Sequence, residues 1–118
     1  MNKSSTSVLV FGIYLIGMGA GLVFMPNVLL GMLGMPPTDE IWSRVVGVLA
    51  LLLAFYYIQA ARTGTKAFMQ WTVYGRIFVF VAFVAFVLAG MVGPVMILLG
   101  GVDLLGALWT GSALRAEN

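Results

Sequence analysis

Gly100-Gly101-Val102-Asp103-Leu104-Leu105-Gly106-Ala107-Leu108-Trp109-Thr110 places one carboxylate near the centre of the last long apolar segment. A charge at that depth is costly in hydrocarbon, so the segment must be one wall of a bundle that shields it. On a helix Asp103 shares its face with Leu99, Gly100, Gly106, Ala107 and Thr110. Most of these are small or hydroxylated and suit close helix packing better than lipid. The carboxylate is therefore expected to point inward.

The composition agrees. Hydrophobic residues make up 62% of the 118 and charged residues 8%, against about a quarter charged in soluble domains. So few charges do not cover a soluble globule, and the lipid bilayer is the expected solvent. The length fits a single integral membrane domain, 1–118. The net charge of +2 comes from Lys and Arg at segment ends rather than in a patch, which argues against nucleic acid and for the positive-inside effect. With no Cys and no His, thiol redox chemistry, disulfides, Cys/His metal sites and His-ligated haem are excluded. The methionines are scattered, as gap-fillers rather than Cu(I) ligands would be. No phosphate-binding loop is present.

Four spans are predicted: about Val8 to Met25, Glu40 to Ala61, Phe68 to Met91, and Pro94 to Leu114. The first follows a short polar start that resembles a signal peptide, but no cleavage site follows it, so it reads as a retained span. Within it Gly17 and Gly21 form a Gly-x-x-x-Gly pair that suits packing inside the chain. Residues 26–39 are too apolar for an aqueous loop. Leu29, Leu30, Met32 and Leu33 predict a short interfacial helix, stopped by Gly34 and by Pro36-Pro37, that reads either as a lid on the bundle or as a flap over a hydrophobic ligand. Thr38 or Asp39 is expected to cap the second span, with Glu40 and Arg44 as an i,i+4 interfacial ion pair beside Trp42. Phe78, Phe80, Phe83 and Phe86 define no single helical face. The fold class is thus all-α: a four-transmembrane-helix bundle with a short interfacial helix between helices 1 and 2.

Alternating spans put Lys3, Arg62, Lys66 and Arg115 at one membrane face. That face is expected to be cytoplasmic, with both termini inside. Counted from the 90–94 turn, Asp103 lies roughly 15 Å deep and Arg76 roughly 20–24 Å deep on the neighbouring span. An Arg76–Asp103 pair is therefore within reach, with Tyr14 and Thr110 completing a buried polar site. Such a pair either locks helix register or leaves Asp103 to titrate or bind a cation. Asp103 is the only carboxylate well inside the membrane, and no nucleophile has an evident base, so catalysis is not indicated.

Glu40-Ile-Trp-Ser-Arg44-Val-Val-Gly47, Gly75-Arg76 and Gly101-Val-Asp103-Leu-Leu-Gly-Ala-Leu-Trp-Thr110 resemble the DoxX-like small four-helix bacterial membrane proteins. That resemblance implies a four-helix bundle in the bacterial cytoplasmic (inner) membrane. It also implies that some relatives are subunits of quinone-linked oxidoreductases. Three functions follow as expectations. The first is a non-enzymatic accessory or scaffold that binds a membrane-protein partner, a second copy or an amphiphile. The others are a small proton- or cation-coupled carrier using Asp103, and a quinone-linked oxidoreductase subunit. No resident cofactor is expected beyond a quinone or lipid.

Overall fold

A computed structural model describes residues 1–117. They form five helices: α1 (Lys3–Phe24), α2 (Pro26–Met32), α3 (Trp42–Thr63), α4 (Lys66–Leu88) and α5 (Val95–Ala116). The four long ones have 22 or 23 residues and are long and apolar enough to cross a membrane. At ~1.5 Å per residue each matches a hydrocarbon core about 30 Å thick. Short α2 lies between the first two spans, where the apolar connection predicts a helix.

Polar groups set the helix ends. α1 begins five residues before the predicted start because Asn2 caps it: the Asn2 side-chain oxygen accepts from the Ser5 backbone N–H at 3.0 Å. Pro26 has no N–H to continue α1 and stands in the first turn of α2. α3 begins later than predicted. Thr38 and Asp39 do not cap it; the Thr38 hydroxyl instead accepts from the Glu40 N–H at 3.1 Å. The Thr38 N–H is held by the Asn27 side chain at 2.8 Å, which ties this loop to α2. At Gly64 and Gly90, φ is +66° and +75°, left-handed values that few residues but glycine adopt without strain. Both lie in tight turns, after α3 and after α4.

Neighbouring spans run antiparallel. α1 packs along α3, α4 along α5, and the two pairs join through α1 and α5. α3 and α4 share few contacts despite being consecutive, and meet beside their turn, where Tyr57 and Phe68 pack edge to face at 6.0 Å. Backbones approach most closely at Gly19 and Gly47: a Cβ on either would lie 2.8–2.9 Å from the other's carbonyl oxygen. The Gly17–Gly21 pair does not form this contact. Gly17 is exposed with nothing near it, and Gly21 faces Leu29 of α2.

The core is lopsided. Val8, Phe11, Tyr57, Ala61, Met69, Val73, Ala107 and Leu114 form it, and all lie in the half of the bundle nearer the chain termini. In the other half α3 makes few contacts with α4 or α5, and a cavity lies between α1, α3 and α5.

Candidate functional site

Arg76 is 2% exposed, in the middle of α4. Its Nε donates to the Thr72 carbonyl at 3.1 Å, and its Nη2 donates to the hydroxyls of Thr72 at 3.0 Å and Thr110 at 2.9 Å. The rings of Phe11 and Tyr57 lie 4.8 and 5.6 Å from its guanidinium carbon, close enough for cation–π attraction. Nη1 is buried without a hydrogen-bond partner. Gly106 makes the space for this group, since a Cβ there would sit 2.9 Å from Nη1.

From Thr110 a file of polar groups runs to the terminal face. Thr110 and Ser7 hydroxyls are 2.7 Å apart, and Ser7 donates to the Ser4 carbonyl at 2.7 Å. The Ser7 proton is thereby committed, so Thr110 is the donor between the two. Ser4 donates to the Glu117 carboxylate through its hydroxyl at 2.6 Å and its N–H at 3.1 Å. Lys66 Nζ lies 3.6 Å from the same carboxylate. Glu117, the residue that caps the end of α5, thus supplies the negative charge that the first turn of α1 lacks, at the positive end of its dipole. The serines that read as a signal-like start are buried helix: Ser4, Ser5 and Ser7 are 0, 4 and 1% exposed.

These bonds hold the Glu117 carboxyl below its ordinary value of 4.5, first through the Ser4 hydroxyl, then the Ser4 N–H, and with a smaller pull from Lys66. A carboxylate held low in the folded state stabilises it fully above the unfolded value. That contribution is lost as pH falls through the folded value. The thermal midpoint of the detergent-solubilised protein is therefore expected to fall as pH drops below about 4.5. Glu117→Gln should start lower at neutral pH and show a shallower acid limb. Identical acid limbs would assign the loss to other groups.

The four residues predicted to share one polar site divide into two pairs. Arg76 goes with Thr110, as described. Asp103 goes with Tyr14, in the wall of a cavity. No ion pair within 4.0 Å joins Arg76 to Asp103, and helix geometry gives the reason. Side chains lean toward the N-terminus of their own helix, and α4 and α5 are antiparallel. Arg76 therefore leans toward the terminal face and Asp103 toward the opposite one, so the two diverge although α4 and α5 pack along each other.

The Glu40–Arg44 ion pair is likewise not formed. Glu40 precedes the first turn of α3, so the i,i+4 spacing does not place it beside Arg44. Arg44 donates instead to the Val23 carbonyl at the end of α1, satisfying one of the orphan carbonyls there.

The cavity has a volume of about 340 Å³ and lies between α1, α3 and α5, with Phe83 of α4 at its edge. Leu30, Leu33 and Met35, from α2 and the loop after it, close it toward the loop end. Met18, Leu22, Val46, Leu53 and Leu99 make its sides apolar. Asp103 is the one charged residue in the lining, and Tyr14 and Trp42 bring the other polar side-chain atoms. Among the described residues nothing donates a hydrogen bond to the Asp103 carboxylate, and no group of three or more metal-ligating residues occurs. α3 and α4 share few contacts, and Phe83 is the one α4 residue in the lining. Ser4, Ser7, Thr72 and Glu117 were not singled out by sequence reasoning. The usable signal was the run Ser4, Ser7, Phe11 at helical spacing, and Thr72 one turn before Arg76.

Scans against protein-family models, curated proteins and solved structures find no match to this chain.

Proposed function

We propose that this chain is a non-enzymatic membrane protein that holds a hydrophobic amphiphile, taken laterally from the bilayer, in the cavity beneath α2. The observation that carries this reading is the cavity itself. It is apolar, lies where α3 shares few contacts with α4, and contains one carboxylate. Its volume of about 340 Å³ falls at the small end of the roughly 300–1,000 Å³ typical of ligand sites, which suits a single-chain or single-ring molecule rather than a two-chain phospholipid. The Arg76 layer and the core beneath it form the floor, and α2 is the lid. A quinone, which the DoxX-like resemblance implies, would use the same space. The carrier reading draws on the same Asp103 but is less well supported. The polar file below it passes through the Ser4 carbonyl, which interrupts any relay of protons from hydroxyl to hydroxyl. The face bearing Lys3, Arg62, Lys66 and Arg115 would be cytoplasmic, in a bacterial inner membrane, and an accessory role beside a membrane partner would follow from delivering or sensing the bound molecule.

The test uses the protein in lipid nanodiscs with a spin-labelled single-chain alcohol. An immobilised spectral component saturating at about one probe per chain is expected. Leu99→Trp, which fills the cavity from α5, should remove that component while helicity and thermal midpoint stay close to those of the parent. An immobilised component that never saturates, or that survives the filled cavity, would overturn the reading.

A further inference from the structure

Resting on the amphiphile-binding reading, the geometry points to the class of ligand. We propose that the cavity selects a lipophilic cation, a protonated amine or quaternary ammonium. Its charged nitrogen would lie against Asp103 and its hydrocarbon among the α1, α3 and α5 side chains under α2.

Three observations converge. First, Asp103 is the only charged residue in the lining, and it is exposed to the cavity rather than sealed in helix packing. Second, its carboxylate is left without a close partner. No described residue donates a hydrogen bond to it, and no cationic group lies within 4.0 Å. Arg76, the one buried cation nearby, is committed to Thr72 and Thr110 and leans toward the other face. Its charge moderates Asp103 at a distance but leaves the cavity side of the carboxylate free. Third, the remaining polar atoms belong to aromatic residues, Tyr14 and Trp42, and Phe83 stands at the edge. Aromatic faces attract ammonium groups, and more strongly where water is excluded.

Other headgroups fit less well. An anion would meet Asp103 as a like charge in a low-dielectric space, a costly juxtaposition. A neutral headgroup gains at most ordinary hydrogen bonds, whereas a cation turns an unpaired intramembrane carboxylate into a paired one.

The decisive experiment displaces the spin-labelled alcohol, in nanodiscs of neutral phosphatidylcholine, with dodecyltrimethylammonium, dodecanol and dodecyl sulfate. Each is corrected for its partitioning into protein-free nanodiscs. The ammonium is expected to displace the probe at a concentration at least about tenfold below dodecanol, with dodecyl sulfate weakest. Asp103→Asn should abolish the ammonium preference while dodecanol still displaces the probe, which shows that the cavity survives the substitution. Asp103→Glu should retain the preference. Displacement with no regard to charge, or a preference unchanged in Asp103→Asn, overturns the proposal and leaves amphiphile binding intact. An absence of saturable probe binding in the parent protein overturns both.

Discussion

Gly47→Ala is expected to destabilise the protein by about 2 kcal/mol, although the substitution exchanges a poor helix former for the best one. Helix propensity alone favours alanine by about 1 kcal/mol. Packing decides otherwise. A Cβ at position 47 would lie 2.8 Å from the Gly19 carbonyl oxygen, 2.8 Å from Val23 Cγ2 and 2.9 Å from Leu22 Cβ. The first is backbone and the third is rooted at the helix, so neither yields by a simple rotamer change. Relief requires α1 and α3 to separate along their most extensive contact. Overpacking of this kind costs typically 1–3 kcal/mol, occasionally more. Two backbones in contact place Gly47 at the upper end, and the propensity gain offsets part of the cost. Reversible unfolding in mixed micelles measures the change. Gly75→Ala is the matched control, because nothing lies within 4 Å of a Cβ there, and it should be neutral or slightly stabilising. Equal effects at the two positions would show that the Gly19–Gly47 approach does not limit the α1–α3 contact.

Gly47 also marks where the sequence stopped being informative. Four apolar segments of spanning length, with basic residues at alternate ends, fix four antiparallel spans, and all four are present. The small face around Asp103 correctly identified the inward side of α5, and Gly100, Ala107 and Thr110 are buried there. Which glycines meet was not legible, because several occur in α1 at helical spacings and only the position of α3 selects Gly12 and Gly19 over Gly17. The early start of α1 was hidden for a different reason. A Ser-rich start reads as polar and solvated until Glu117, at the far end of the chain, is seen to accept from Ser4. Depth counting brought Arg76 and Asp103 to neighbouring levels but carried no information on side-chain lean, which separates them. The cavity was the least legible feature. It exists because α3 and α4 diverge from their turn, and no single segment encodes that divergence.

Thr110→Val is expected to cost about 2 kcal/mol, and the reason lies in what it strands rather than in what it removes. Valine nearly matches threonine in shape, so no void opens in α5. The hydroxyl, however, accepts from Arg76 Nη2 at 2.9 Å and meets Ser7 at 2.7 Å, joining α4, α5 and α1 at one atom. Without it Arg76 keeps only Thr72, on its own helix, while Nη1 is already unpartnered. Hydrogen bonds to charged groups contribute about 1.5–3 kcal/mol; those measured between membrane helices average about 0.6 and reach about 1.7. A charged donor that is 2% exposed belongs at or above the upper end of the second range. The cost should therefore depend on the cation. Arg76→Met removes the charge together with its demand for acceptors, and replacing a buried charge by an apolar side chain of similar reach is often nearly neutral. In that background Thr110→Val loses only its bond to Ser7 and should cost about 0.6 kcal/mol. The difference, about 1.4 kcal/mol or roughly tenfold in the folding equilibrium, is the coupling a double-mutant cycle reads. If Thr110→Val costs the same whether position 76 is Arg or Met, Thr110 acts through packing alone and the guanidinium does not hold the three helices together.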